Sequence, residues 1–125
     1  IPGKGFSRDL TKGFHIGRST VFASMQVAMW IGYQHTYIFG CDMNPDGLNG
    51  QLHFYGTNPD VNPDIRKIRF KNEAEYYDYA ATILTDEEKA KFTFCSDYNH
   101  WDFVDQFNKI SHKDAISTII DRVQK

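Results

Sequence analysis

The sequence predicts an α/β fold built around a mainly parallel sheet. Two short stretches, "HTYIFGC" at 35–41 and "KFTFCS" at 91–96, are rich in β-branched and aromatic residues, a composition that favours strands. Their nearly continuous apolar character is that of strands covered on both faces, so the two strands are expected to be parallel and central in the sheet. Segments with helical periodicity precede and follow them, and this alternation of helix and strand is typical of three-layer α/β proteins.

At 125 residues the chain is one domain or part of one, since domains mostly run from roughly 50 to 250 residues. Its hydrophobic content of 41% and aromatic content of 15% are ample for a packed core. The formal net charge of −2 argues against a nucleic-acid partner, which needs a clustered basic face. The densest basic stretch, "IRKIRFK" at 65–71, is interpreted as a solvated loop and strand edge. The longest apolar run, 21–33, is shorter than the roughly 20 residues of a membrane span. Cys41 and Cys95 are interpreted as reduced core thiols of a cytoplasmic protein.

The first helix is predicted over 19–33, after an irregular segment at 1–17. Two neighbouring faces of this helix are apolar: Val21, Met25, Ala28 and Gly32 on one, and Phe22, Met29 and Tyr33 on the other. A helix that is apolar on most sides is usually buried against a sheet. We therefore expect this helix to be buried.

The middle of the chain, 43–72, is predicted to be a long loop region. It contains Asn-Pro-Asp three times, at 44–46, 58–60 and 62–64. Proline fixes φ while Asn and Asp bond their own backbone, so these tripeptides predict turns. Within this region "IRKIRF" at 65–70 is predicted to form a short strand.

Three helix starts in the second half of the chain show a capping residue followed three positions later by an acid. They are Asn72 with Glu75, Thr85 with Glu88, and Ser111 with Asp114. The inward face of the first of these helices is predicted to consist of Ala74, Tyr77, Ala81 and Leu84. The last helix is expected to run to about residue 123. The stretch "DYNHWDFVDQF" at 97–107 is predicted to be an aromatic loop or an irregular helix.

Two predicted strands are too few for a stable parallel sheet, which needs neighbours on its edges and helices on both faces. The chain is therefore expected either to pair with a second copy or to be the C-terminal half of a larger Rossmann-like domain. We favour the second interpretation, because the chain opens on Ile1 and a segment without a regular element.

The start of the first helix is a candidate phosphate site formed by Arg18, Ser19 and Thr20. A helix N-terminus offers free N–H groups and about half a positive charge. The third helical position after Ser19 is Phe22, whereas the other predicted helices carry an acid there. The alternative is an ordinary serine cap on a packed helix.

Asp42 stands at the end of the first predicted strand and raises the question of a metal site. Together with Asn44, Asp46 and Gly47 it matches the first half of a calcium-binding EF-hand loop. However, His53 occupies the twelfth position, where a glutamate should close the calcium shell. The match is therefore interpreted as chance.

A second use for Asp42 follows from the predicted sheet, because ligands of open α/β proteins gather outside the carboxyl ends of the strands. His53 follows closely enough to reach the same rim, as a base or a phosphate ligand. Asn44, Tyr55 and His100 are further candidates at this rim. The other histidines, at 15, 35 and 112, have no neighbours in the sequence that suggest a site, and no Cys/His spacing suggests zinc.

The stretch "STVFASMQVAMWIGYQHTYIFGCDMN" at 19–44 resembles the motility accessory factor (Maf) glycosyltransferases. Archaeal hydroxymethylpterin diphosphokinases share that superfamily, and Campylobacter-type sialyltransferases are more distantly similar. The shared pattern is a Ser/Thr-started helix, an Ile-Gly-Tyr turn, a strand ending Gly-Cys-Asp, and His-Phe-Tyr at 53–55. The stretch "FTFCSDYNHWDFVDQFNKISHKDAI" at 92–116 is similar to the closing part of the family.

This resemblance implies a transferase that acts on a nucleotide-activated donor, most of all a nucleotide sugar, with Asp42 and His53 as catalytic candidates. The alternative enzyme is a pterin diphosphokinase, in which Asp42 helps to hold Mg²⁺ on ATP. The family's nucleotide-binding N-terminal half is not visible, so the isolated chain is expected to be inactive. A binding or accessory domain that retains the fold is the non-enzymatic alternative.

Overall fold

A three-stranded parallel sheet forms the centre of the protein, in a computed structural model that describes residues 1–41, 63–97 and 106–124. A short 3₁₀ helix at Leu10–Lys12 precedes the main elements. These elements are, in chain order, α1 (Thr20–Ile31), β1 (Thr36–Phe39), α2 (Pro63–Ile83), α3 (Asp86–Lys89), β2 (Phe92–Cys95), β3 (Asn108–Ile110) and α4 (His112–Val123).

The sheet has the strand order β1-β2-β3, and both pairings are parallel. Thr36 lies opposite Phe92, and Cys95 lies between Phe39 and Ile110 in the register. The predicted parallel pairing of the first two strands is therefore confirmed. Within the described residues β2 is central and β1 is an outer strand, whereas both were expected to be central. β3 was not predicted from the sequence.

Side chains alternate along the strands and separate the protein into three layers. On one face, Phe94 of β2 contacts Tyr77 of α2, with ring centroids 5.9 Å apart. On the other face, Tyr37 of β1 lies under the guanidinium carbon of Arg122 in α4, 5.9 Å from the ring centroid. The sheet is thus covered by α2 on one side and by α4 on the other, which confirms the predicted three-layer α/β arrangement.

The helices α1 and α2 share one hydrophobic core above the sheet. Phe22 of α1 and Tyr77 of α2 are both fully buried and meet edge to face, with ring centroids 5.2 Å apart. The inward face predicted for α2 is confirmed, and Ala80 belongs to it as well. Its buried residues are Ala74, Tyr77, Ala80 and Ala81, and Leu84, directly after the helix, is buried as well.

The prediction for the start of α2 was wrong. The helix begins at Pro63, so Asn72 lies inside it rather than at its cap, and 65–70 is helical rather than a strand. Proline is favoured at the first helical position, and an acid such as Asp64 is favourable in the first turn. Pro63 and Asp64 of the third Asn-Pro-Asp tripeptide therefore begin a helix, while Asn62 and the first two tripeptides lie outside the described residues.

The expectation that α1 is buried is confirmed for one face only. Phe22, Met25, Gln26 and Ala28 are buried. On the outer side Trp30 is 49% exposed and Ile31 is 59% exposed. The helix packs through a single face because, within the described residues, no element covers its outer side.

The segment before α1 is held in place by the buried side chain of Gln26. Its Oε1 accepts the backbone N–H groups of Ser7 at 2.9 Å and His15 at 3.0 Å. Its Nε2 donates to the carbonyl of His15 at 2.7 Å and to that of Phe22 at 3.1 Å. The Gln26 side chain thus satisfies backbone groups of the irregular segment that a neighbouring β-strand would otherwise satisfy.

Two predicted helix caps and the two predicted core thiols are confirmed. Thr85 and Glu88 form a reciprocal capping box at α3, and the Ser111 hydroxyl accepts the N–H of Asp114 in α4. Cys41 and Cys95 are buried thiols. No helix in the described part of the chain combines the length and the apolar character needed to cross a bilayer.

Candidate functional site at the carboxyl edge of the sheet

The start of α1 differs from the starts of α3 and α4. Ser19 occupies the cap position with extended backbone angles, but its side chain makes no capping hydrogen bond. The described first turn of α1 also contains no acidic residue. Within the part of the chain that the structure describes, the N–H groups of this turn therefore have no side-chain acceptor, which is the condition under which a helix start attracts an anion.

The Ser19 hydroxyl instead takes part in a polar cluster with Tyr77 and Cys41, here called the Tyr77 cluster. The hydroxyl oxygen of Tyr77 lies 3.3 Å from Oγ of Ser19 and 3.9 Å from Sγ of Cys41. Burial raises the pKa of the Tyr77 phenol, so it stays protonated. Since Cys41 follows β1, the cluster joins the start of α1 to the carboxyl end of that strand.

A half-buried carboxylate, Glu73, lies one turn before Tyr77 on α2. Burial raises the pKa of Glu73, while the positive charges of Arg69 and Arg18 oppose that rise. Arg18 itself has a left-handed backbone, with φ of 59°. Sequence reasoning missed Glu73 because its interaction with Arg18 arises only when α2 packs against the start of α1.

The candidate residues fall into two groups. Arg18, Ser19 and Thr20 are described, and the structure places them together at the start of α1. The catalytic candidates Asp42 and His53 lie outside the described residues, as do the rim candidates. The latter are Asn44, Tyr55 and His100. The proposed proximity of Asp42 and His53 therefore stays a prediction.

His112 has a specific partner that the sequence analysis did not predict. Asp97, which follows β2, accepts the backbone N–H of His112 through Oδ1 at 2.9 Å. Its Oδ2 lies 3.2 Å from Nδ1 of the same histidine. The ring of Phe39 lies against the imidazole, with centroids 5.7 Å apart and an interplanar angle of 33°. The expectation that His112 has no constellation around it was wrong, because its partner is 15 positions away in the chain.

The other two described histidines have structural roles. His15 donates from Nδ1 to the carbonyl of Gly3 at 3.1 Å. Nε2 of His35 lies 2.8 Å from Oγ1 of Thr93, and burial, aided by the charge of Arg122, lowers the pKa of His35. His35 precedes β1 and so lies at the amino edge of the sheet, away from the Tyr77 cluster.

No group of three or more potential metal ligands occurs among the described residues. The suggestion that Asp42 helps to hold Mg²⁺ on a nucleotide concerns a residue outside them. The residues that can be placed at this edge are suited to hydrogen bonding, charge attraction and proton transfer. They are Arg18, Ser19, Glu73, Tyr77, Asp97 and His112.

The fold and these residues define an α/β protein with a parallel sheet and two sets of polar groups at the carboxyl edge of its strands. Comparison of the chain with protein-family models, curated proteins and solved structures gave no significant match. The resemblance drawn from the sequence motifs therefore stays a prediction.

Proposed function

We propose that the protein is part of a transferase that uses a nucleotide-activated donor, with a nucleotide sugar as the donor class. The observation that carries the proposal is the Tyr77 cluster. It brings the uncapped start of α1 to the carboxyl end of β1. Ligands of open α/β sheets bind outside this end of the strands, and phosphates bind at helix N-termini.

In this proposal the N–H groups of α1, with Arg18, Ser19 and Thr20, bind the donor phosphates. Glycosyl transfer leaves negative charge on the departing phosphate, so preorganised donors and positive charges at that position lower the barrier. Asp42 follows the strand end and holds a hydroxyl or a divalent ion of the substrate. His53 is a phosphate ligand or base at the same rim.

The test is a titration of the protein with inorganic phosphate, and then with UDP- and CMP-sugars, followed by amide NMR shifts. We expect shifts over 18–22 and a several-fold weaker response in Arg18→Gln. The amides at the start of α4 are the matched control, because Asp97 and Ser111 already occupy them. Equal shifts at both helix starts, or none at 18–22, would contradict the proposal.

The same titration separates the alternative functions. A response to ATP with Mg²⁺ that exceeds the response to nucleotide sugars would favour a diphosphokinase. Binding without turnover by the longest available form of the protein would favour a binding or accessory domain. Asp42→Asn should abolish turnover with little change in melting temperature if Asp42 acts on substrate, since exposed residues contribute little to packing.

A further inference from the structure

The strand β1 forms one edge of the sheet, and its pairing with β2 shows which of its backbone groups face outward. The N–H of Thr36 donates to the carbonyl of Lys91 at 2.7 Å, so Thr36 faces β2. Successive residues of a paired strand direct their N–H and C=O groups alternately to its two sides. Ile38 therefore also faces β2, whereas Tyr37 and Phe39 direct their backbone groups outward. Within the described residues no strand pairs with that outer side.

We propose that the outer edge of β1 is an interface that binds one further parallel strand, supplied by a part of the same polypeptide that precedes Ile1. An exposed strand edge is a template for pairing with another extended segment, and proteins often protect such an edge with charged residues or proline. The stretch "YQHTYIFGC" at 33–41 contains no Lys, Arg, Asp, Glu or Pro. β1 therefore lacks these protective residues and is suited to pairing.

Both faces of this outermost strand are covered, as they are for a strand inside a parallel sheet. Both ends of α4 lie on β1. The imidazole of His112 lies against the ring of Phe39, with centroids 5.7 Å apart, and the guanidinium of Arg122 lies over the ring of Tyr37. On the opposite face Ile38 is buried in the core that α1 and α2 share. A strand added beside β1 would therefore lie next to helices that are already in place.

One side of α4 presents a row of exposed apolar residues. Ile116, Ile120 and Val123 are spaced by four and three positions, so they are neighbours on the helix surface. They are 52%, 48% and 80% exposed, and Phe39 of β1 is 46% exposed. Single exposed apolar residues are ordinary, but a contiguous apolar patch on a helix that lies over an open strand is typical of an interface. The added strand would cover part of this patch.

The position of the helices disfavours a second copy of the chain at this edge. Pairing two copies through β1 would bring the two strands to about 4.8 Å from each other. Each strand would carry its own helix on the same face, whereas packed helices need about 8–10 Å between their axes. Helices that lie over neighbouring strands would therefore collide. A single added strand brings no second helix to that position.

The topology of the sheet indicates where the added strand comes from. A connection between parallel strands through a helix is right-handed in nearly all proteins. The unit β1–α2–β2 places β2 on one side of β1, and α1 packs on the same face of the sheet as α2. A strand that leads into α1 then lies on the opposite, open side of β1. Residues 1–19 contain no strand, so this strand would precede them.

A parallel strand at this position would also affect the proposed phosphate site. Its carboxyl end would lie at the same edge of the sheet as the Tyr77 cluster. The loop that follows it would then reach the start of α1 and add ligand groups there. This last step alone rests on the proposed function, whereas the pairing at β1 does not.

Amide hydrogen exchange in the complete polypeptide that the gene encodes tests the pairing. The amides of Tyr37 and Phe39 should exchange as slowly as those of Thr36 and Ile38, within about 10-fold, and this protection should not change on dilution. Fast exchange at Tyr37 and Phe39 alone would show a free edge and overturn the proposal. Protection that falls on dilution would show a second copy or a separate protein at the edge, and a gene product without residues before Ile1 would also overturn it.

A charge placed on the apolar side of α4 gives a second measurement in the same polypeptide. Ile120→Lys should lower the melting temperature by about 4 °C or more, because the added segment would bury the new charge. Ser117→Lys, on an exposed polar position of the same helix, is the matched control and should leave the melting temperature unchanged. Equal melting temperatures of both variants would contradict the covered patch. Neither measurement uses a ligand, so a failure to bind nucleotide sugars would overturn the proposed function alone.

Discussion

The hydroxyl oxygen of Tyr77 lies 3.3 Å from Oγ of Ser19, although 58 positions separate the two residues in the chain. The contact draws the serine hydroxyl away from the role of helix cap that its position favours. It therefore links the packing of α2 directly to the exposed N–H groups at the start of α1.

Removing the Tyr77 hydroxyl tests the strength of this link. Tyr77→Phe keeps the buried ring but leaves the Ser19 hydroxyl without its tyrosine partner, so we expect the free energy of unfolding to fall by about 1 kcal/mol. Urea denaturation measures the change. Tyr79→Phe, on an exposed position of the same helix, is the control and should stay within about 0.5 kcal/mol of the wild type. Equal stability of both variants would show that the contact is not stabilising.

Gln26 should be among the least replaceable residues of the protein. In Gln26→Leu the new side chain has a similar volume but cannot accept a hydrogen bond. The buried N–H of Ser7 and the half-buried N–H of His15 then lose their acceptor. Each unsatisfied group costs about 1–3 kcal/mol, so we expect a loss of about 3 kcal/mol or more in unfolding experiments. Ser24→Ala, on the exposed side of α1, is the matched control. A loss below about 1 kcal/mol would show that water replaces the amide.

The ion pair between Arg8 and Glu88 makes stability depend on acid pH. Arg8 Nε lies 2.6 Å from Oε2 of Glu88, and this bond, followed by those to Thr85, lowers the pKa of Glu88 from its usual value near 4.5 to about 2. The contribution of the Glu88 carboxylate to the free energy of unfolding is therefore present above pH 4.5, and it is lost as the pH falls towards 2.

Glu88→Gln preserves the capping box but removes the charge. We expect it to lower stability by about 1 kcal/mol at pH 7, a modest value because Arg8 is half exposed. Below pH 4.5 the variant and the wild type should converge. Thermal melts from pH 2 to pH 7 measure this, with the exposed neighbour change Glu87→Gln as control. A difference that is independent of pH would contradict the assignment.

Replacement by alanine should destabilise the protein to very different extents at two glycines with positive φ. At Gly17 (φ +61°) an added Cβ would lie 2.3 Å from Cδ1 of Phe22, whereas at Gly32 (φ +98°) nothing lies within 4 Å. Both changes incur the left-handed backbone strain of about 1–2 kcal/mol, but Gly17→Ala must also displace a fully buried ring. We expect it to cost about 2 kcal/mol more than Gly32→Ala in urea denaturation. Similar losses would contradict this.

The parts of the fold that could be predicted from the sequence are those determined by neighbouring residues. Thr85 with Glu88 and Ser111 with Asp114 are caps formed within one turn, and both were predicted correctly. The start of α2 was missed because Asn-Pro-Asp is a signal for a turn and also for a helix N-terminus. The apolar residues of its first turns, Ile65 and Ile68, are exposed and do not continue the buried face of the helix, so they did not indicate where it begins. β3 was missed because its three residues include a single apolar side chain, Ile110.

The candidate site was predictable only in part, for the same reason. Arg18, Ser19 and Thr20 are adjacent, so the unusual helix start could be recognised from local pattern. Tyr77 and Glu73 reach that start only through packing of α2 on α1, and Asp97 meets His112 only because β2 and β3 are paired. Contacts of this kind leave no fixed spacing in the sequence.

The strand order β1-β2-β3 has a consequence for how the chain folds. The hydrogen bond of α4 to Asp97, two residues after β2, spans 15 positions, whereas the contact of His35 with Thr93 spans 58 positions. Closing the longer loop costs about 1 kcal/mol more in chain entropy. We expect amides of β3 and α4 to gain protection before those of β1 in pulsed hydrogen exchange during refolding, and the reverse order would contradict this. The part of the sheet beside α4 would then form first and serve as the surface on which β1 and α1 assemble the proposed phosphate site.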